Sequence, residues 1–116
     1  MMNKREFGSK GEELACEYLT KNGYEIIERN VHFSRFCEID IIAKQKDTLV
    51  FVEVKTRKNN NFGTPLEAIT QTKLNNIKTG VFSYLQSASH KYKNFRIDVI
   101  GITLQPALKI DHLKSI

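Results

Sequence analysis

The chain has 116 residues, 41% of them hydrophobic and 27% charged, the balance of a globular protein with room for one hydrophobic core and one site. That balance excludes a disordered chain, and no apolar run approaches the roughly 20 residues that a bilayer crossing needs. Eighteen Lys and Arg against thirteen Asp and Glu give a formal net charge of +5, which favours a polyanionic partner without naming one.

The opening MMNKREFGSK is basic but leads into an amphipathic pattern instead of an apolar signal core, so the expectation is a cytoplasmic protein. The first element is a helix from about Lys4 to Lys21, with Phe7, Gly11, Leu14, Ala15, Tyr18 and Leu19 on one face. Asn3 with Glu6 makes a capping box and Asn22-Gly23 a stop. Cys16 and Cys37 have no CxxC or matching His spacing, which predicts reduced thiols and no zinc site. Strands are predicted over Tyr24 to Arg29, Cys37 to Lys44 and Thr48 to Thr56. The short polar link Gln45-Lys46-Asp47 makes the last two hairpin partners. Thr64-Pro65-Leu66-Glu67 then reads as the start of one long helix, which Leu66, Ile69, Leu74, Ile77, Val81 and Leu85 carry to about Ser87. Phe95 to Thr103 is a further strand, and Ala107 to His112 a short edge strand at a ragged end. The order αβββαβ predicts a single α/β domain over residues 1–116, with helices packed on a mixed sheet.

Strand alternation places Glu38, Asp40 and Ile42 on one face, and Ile39, Ile41 and Ala43 on the other. The same rule groups Leu49, Phe51, Glu53 and Lys55 opposite Val50, Val52 and Val54. Ionised acids about 5 Å apart repel by roughly 3 kcal/mol at an effective dielectric of 20. A cluster of Glu38, Asp40 and Glu53 with only Lys55 nearby therefore lacks balance, which a divalent cation would supply; oxygen-only ligands suit magnesium. Spacing alone leaves a second reading open, a solvated ion-pair group at the sheet end.

The segments GSKGEELACEYLTKNGYEIIERN, CEIDIIA, LVFVEVKTR, FGTPLEAIT and FRIDVIGI together resemble the bacterial YraN-type family. That family belongs with the restriction-endonuclease-like nucleases and is similar to archaeal Holliday junction resolvases. The resemblance implies a three-layer α/β/α fold in which Asp40, Glu53 and the Val54 carbonyl hold Mg2+ or Mn2+, with Lys55 as the catalytic lysine. It also matches Glu12 to an acid that related resolvases carry on the first helix; helical geometry puts Glu12 at the edge of the apolar face and Glu13 in solvent. Glu38 lies in a segment usually read GEID, here with Cys37 where glycine is common, and is an auxiliary candidate.

The activity implied is metal-dependent hydrolysis of DNA, with branched DNA suggested by the resolvases; the alternative is a non-catalytic nucleic-acid binding module. RNA is not separable from DNA on these residues. A junction enzyme needs two sites facing two strands, which implies a homodimer. Arg57, Lys58, Gln71, Lys73 and Lys78 are the candidate phosphate contacts, with Arg29, Arg35 and Lys44 adding to the field. No paired aromatic platform is legible. Asp98 with Arg96 on the same strand face reads as a structural pair, and His32, His90 and His112 have no ligand spacing.

Overall fold

The computed structural model describes residues 3–35, 37–87 and 94–116, so His90 lies outside the described residues. Asn3 starts helix α1 (Lys4–Lys21): its Oδ1 accepts a hydrogen bond from the Glu6 N–H at 2.8 Å. Gly23, at φ +87°, takes the left-handed step that ends the helix. Five strands follow, β1 (Glu25–Ser34), β2 (Cys37–Gln45), β3 (Thr48–Arg57), β4 (Asn94–Thr103) and β5 (Lys109–Leu113), in the spatial order of their numbers. The β3/β4 pair is parallel and the other three are antiparallel, so the sheet is mixed. The β2–β3 hairpin forms as expected, with Gln45 opposite Thr48.

Two elements differ from the sequence reading. Strand β1 continues beyond Arg29 to Ser34, because Asn30 takes φ +53° and the strand resumes pairing with β2 beyond it. Asn tolerates that left-handed conformation better than most residues. The expected long helix is broken in two. Thr64 does cap, accepting from Glu67 N–H at 3.4 Å, but only a 3-10 turn over Leu66–Ala68 follows. Ile69 is extended, and Thr70 opens a new helix, α2 (Gln71–Ser87), by accepting from Lys73 N–H at 3.1 Å. The second cap competes with continuation, and β-branched Ile69 and Thr70 favour the break. Gly101 makes room for the turn, since a Cβ there would lie 2.9 Å from Pro65 Cβ.

The two helices cover opposite faces of the sheet, giving an α/β/α sandwich. Ala15, Cys16 and Leu19 of α1 pack on Ile41, Ala43, Val50, Val52, Ile100 and Ile102. Ile77 and Val81 of α2 pack on Ile42, Leu49, Phe51 and Ile97. Ile39 corrects the simple alternation: it joins the α2 face, away from Ile41 and Ala43. The cause is local. The β2–β3 ladder ends at Ile41 opposite Val52, and nearer its start β2 no longer follows the β3 register. Gly11 lets α1 approach the far end of β3, where a Cβ would overlap the Thr56 hydroxyl. Among the described residues no helix is long and apolar enough to cross a membrane.

Candidate active site

Where the β2–β3 ladder stops, a side chain replaces the missing backbone partner. Val54 N–H donates to Asp40 Oδ2 at 2.8 Å. Odd-numbered Arg57 turns its carbonyl to the β4 side, where it accepts from Leu104 N–H at 3.0 Å. Alternation therefore turns the N–H and the C=O of Val54 together toward the gap beside Asp40. Glu53 comes from the same stretch of β3 but projects to the α2 face. Both acids are buried, Asp40 at 8% exposure and Glu53 at 5%.

The two carboxyl groups lie close enough for each to act on the other. Burial pushes the Glu53 carboxyl up to about 8, and the neighbouring Asp40 charge adds to the rise. Burial also raises Asp40, and the Val54 N–H bond opposes this. The fold therefore favours a protonated Glu53 at neutral pH. The Lys73 charge, from the first turn of α2, acts on both carboxyls and lies 3.5 Å from Glu53 Oε1. Glu53 Oε2 is buried with no hydrogen-bond partner among the described residues.

These groups open into a cleft of about 760 Å³ whose walls come from α1, β2, β3 and the segment leading into α2. Asp40, Glu53, Val54, Lys55 and Glu12 all line it, so the structure brings together the five residues singled out for chemistry. Burial and then the Asp40 charge raise the Glu12 carboxyl, and the Asn30 side chain opposes the rise. Glu13 is exposed and pairs with Arg29 at 3.0 Å, which occupies an arginine expected to add to the general field.

Glu38 does not line the cleft. It sits opposite His32 on β1, with Nε2 and Oε1 3.4 Å apart, and its charge still reaches Asp40 and Glu12. Of the five candidate phosphate contacts, Arg57 and Lys73 line the cleft. Lys58 lines an adjoining pocket, Gln71 is exposed and donates to Asn75 Oδ1 at 3.0 Å, and Lys78 lies in a separate apolar groove with Phe82 and Phe95. The helix break explains Lys78. With α2 starting at Gln71, only its first turn faces the acids. Lys4, Phe7, Thr56 and Thr70 also line the cleft and were not singled out from sequence. Of these Thr70 had a signal, an N-cap residue three positions before Lys73.

The Asp98–Arg96 pair is buried structure, as expected, and larger than the strand pattern indicated. Arg96 Nε donates to Asp98 Oδ1 at 3.0 Å, His112 Nε2 lies 2.7 Å from Asp98 Oδ2, and Tyr18 Oη lies 2.9 Å from His112 Nδ1. The network lies under α1 and does not enter the acid cleft.

Residues 11–102 match the family model described as Uncharacterised protein family UPF0102. The chain belongs to UPF0102. A UPF0102 protein of Syntrophomonas wolfei is 44% identical over 110 residues, covering 94% of this chain and 95% of that one. Another, from Caldicellulosiruptor saccharolyticus, is 48% identical over 101 residues, covering 87% and 85%. Among solved structures, Archaeoglobus fulgidus Hjc, a Holliday junction resolvase from an archaeal hyperthermophile, matches with TM-score 0.57 at 20% identity. The match covers 89% of the UPF0102 chain and 72% of the resolvase. At that identity the likeness concerns the fold, which is restriction-endonuclease-like.

Among the described residues no three His, Cys, Asp or Glu side chains are grouped as a metal cage. The oxygen set is instead two carboxylates and a strand carbonyl. Magnesium, which commonly uses one or two carboxylates and keeps several waters, fits such a set. Glu53 Oε2, buried and without a hydrogen-bond partner among the described residues, leaves one of those oxygens open to a cation.

Proposed function

We propose that this UPF0102 protein is a divalent-metal-dependent endonuclease that hydrolyses DNA phosphodiester bonds. The observation that carries the reading is the juxtaposition of buried Asp40 and Glu53, with Glu53 Oε2 unpartnered among the described residues, in a cleft rimmed by cations. Asp40, Glu53 and the Val54 carbonyl would hold Mg2+ or Mn2+. When bound, the ion supplies Lewis acidity toward a phosphoryl oxygen and lowers the pKa of a coordinated water.

The remaining work falls to side chains. Lys73 offsets the charge of Glu53, which leaves Lys55 free to orient the attacking water or to stabilise charge on the phosphorane. Glu12, across the cleft on α1 and with raised proton affinity, is positioned to take a proton. Arg57 and Lys4 hold flanking phosphates and make no base-specific contact. Fold likeness to a Holliday junction resolvase supports branched DNA as the substrate class and a homodimer as the acting form.

The test is a panel of duplex, flap, splayed and four-way DNA and RNA, with and without magnesium. Wild type is expected to cut at least one branched DNA, and Asp40→Asn and Lys55→Ala to cut none. Equal cleavage by the variants would assign the activity to a contaminant. Salt-dependent binding with no cleavage by any protein would favour a binding module.

A further inference from the structure

A second pocket opens beside the acid cleft. It has a volume of about 270 Å³ and is lined by Phe7, Thr56, Arg57, Lys58, Asn59 and Phe62. Phe7, Thr56 and Arg57 line the acid cleft as well, so the two cavities adjoin. The sequence keeps the two aromatic residues far apart, and the fold brings them to one pocket.

Neither ring is used by the core. Phe7 continues the apolar stripe of α1 by its position, yet it belongs to neither hydrophobic cluster. Phe62 is 90% exposed. That exposure does not come from a shapeless loop. Asn61 N–H donates to Asn59 Oδ1 at 3.0 Å, Gly63 N–H to the Asn60 carbonyl at 3.2 Å, and Thr103 Oγ1 to Asn60 Oδ1 at 3.4 Å. Gly63, at φ +101°, supplies the turn. A tied loop that turns its one large apolar side chain to water forgoes burial it could have had. Beside the rings stand two cations, and Arg57 Nε is buried with no hydrogen-bond partner among the described residues.

Aromatic faces interleaved with cations, next to a cleft suited to a phosphate, match a nucleotide whose base is out of its stack. A paired base inside a duplex has both faces covered and cannot offer one to Phe62. We propose that the pocket between Phe7 and Phe62 receives an unpaired nucleobase of the DNA strand whose phosphate enters the acid cleft. The proposal rests on the nuclease reading for the identity of the polymer. It gives a physical basis for preferring branched or frayed DNA over continuous duplex.

The experiment uses the full chain in calcium, with splayed-arm DNA carrying 2-aminopurine at successive unpaired positions, and a fully paired duplex as control. Wild type and Phe62→Trp quench the probe at one position near the branch; Phe62→Ala does not. The dissociation constant of Phe62→Ala for splayed DNA rises by roughly 5-fold or more, the low end of what base–aromatic stacking is worth, and for duplex by less than about twofold. Melting of Phe62→Ala matches wild type, since the ring supports no packing. Quenching that survives in Phe62→Ala, or equal weakening on both DNAs, overturns the proposal. Its failure separates from that of the nuclease reading. Selective quenching without cleavage in magnesium sinks the nuclease and leaves the pocket, whereas cleavage with Phe62→Ala indifferent sinks the pocket alone.

Discussion

Replacing Glu53 by Gln should make the metal-free protein more stable at pH 8 and leave it unchanged near pH 4.5. Glu53 has an ordinary value of 4.5 and is pushed up to about 8 in the fold, chiefly by burial and then by Asp40. Below 4.5 the carboxyl is protonated in both folded and unfolded chains and contributes no pH dependence. Between 4.5 and 8 the unfolded chain releases its proton while the folded chain keeps it, so stability falls as pH rises through that window. At about 1.36 kcal/mol per pH unit the upper bound is on the order of 5 kcal/mol. A loss of ~2 to 4 kcal/mol between pH 5 and 8 is the working expectation. Glutamine does not titrate and escapes it. For a domain of this size ~1 kcal/mol moves Tm by roughly 4 °C, so the variant should melt about 8 °C or more above wild type at pH 8 without metal. Magnesium at pH 8 should raise the wild-type Tm and leave the variant nearly unmoved. The assay is a series of thermal melts by circular dichroism from pH 4.5 to 8.5, with EDTA or magnesium. Parallel Tm curves for the two proteins across that range would refute the assignment of a buried, strained acid.

Two further substitutions test the frame that holds the site. Gly11→Ala would drive a methyl group into the Thr56 hydroxyl and push α1 off β3, costing about 1 to 3 kcal/mol by urea unfolding and displacing Glu12 from the cleft. Asp98→Asn should cost about 3 kcal/mol at pH 7, because Arg96 and His112 lose a buried carboxylate. Burial alone would raise Asp98, but hydrogen bonds from His112, Arg96 and Ser115 N–H outweigh it and hold the carboxyl below its usual range. Its stabilisation is therefore present above the unfolded value and fades as pH falls through the folded one. The gap between Asp98→Asn and wild type should narrow below pH 4.

Much of this arrangement is legible from residue order because the relevant rules are local. Alternation over Thr48–Arg57 puts Glu53 on the α2 face and Val54 on the other, and caps mark both ends of α1. What alternation cannot show is where a ladder stops. The end of pairing at Ile41 and Val52 moves Ile39 to the other face and frees Val54 for Asp40. The 64–70 segment holds two caps, Thr64 and Thr70, and the second cap with β-branched Ile69 and Thr70 breaks the helix where Gly101 leaves room for the turn. That break brings Lys73 to the acids and leaves Lys78 in another groove. Contacts between residues distant in the chain were beyond any spacing rule. His112 beside Asp98, and Phe7 sharing a pocket with Phe62, are the two cases that matter.

The central claim is that Asp40, Glu53 and the Val54 carbonyl are one cation site. Crystals grown with Mn2+ and measured at a wavelength that gives manganese an anomalous signal test it directly. The expected map has one peak per chain, about 2.1 Å from an oxygen of each of the three groups, and none there in Asp40→Asn. No peak in the wild type, or an equal peak in the variant, would contradict the assignment.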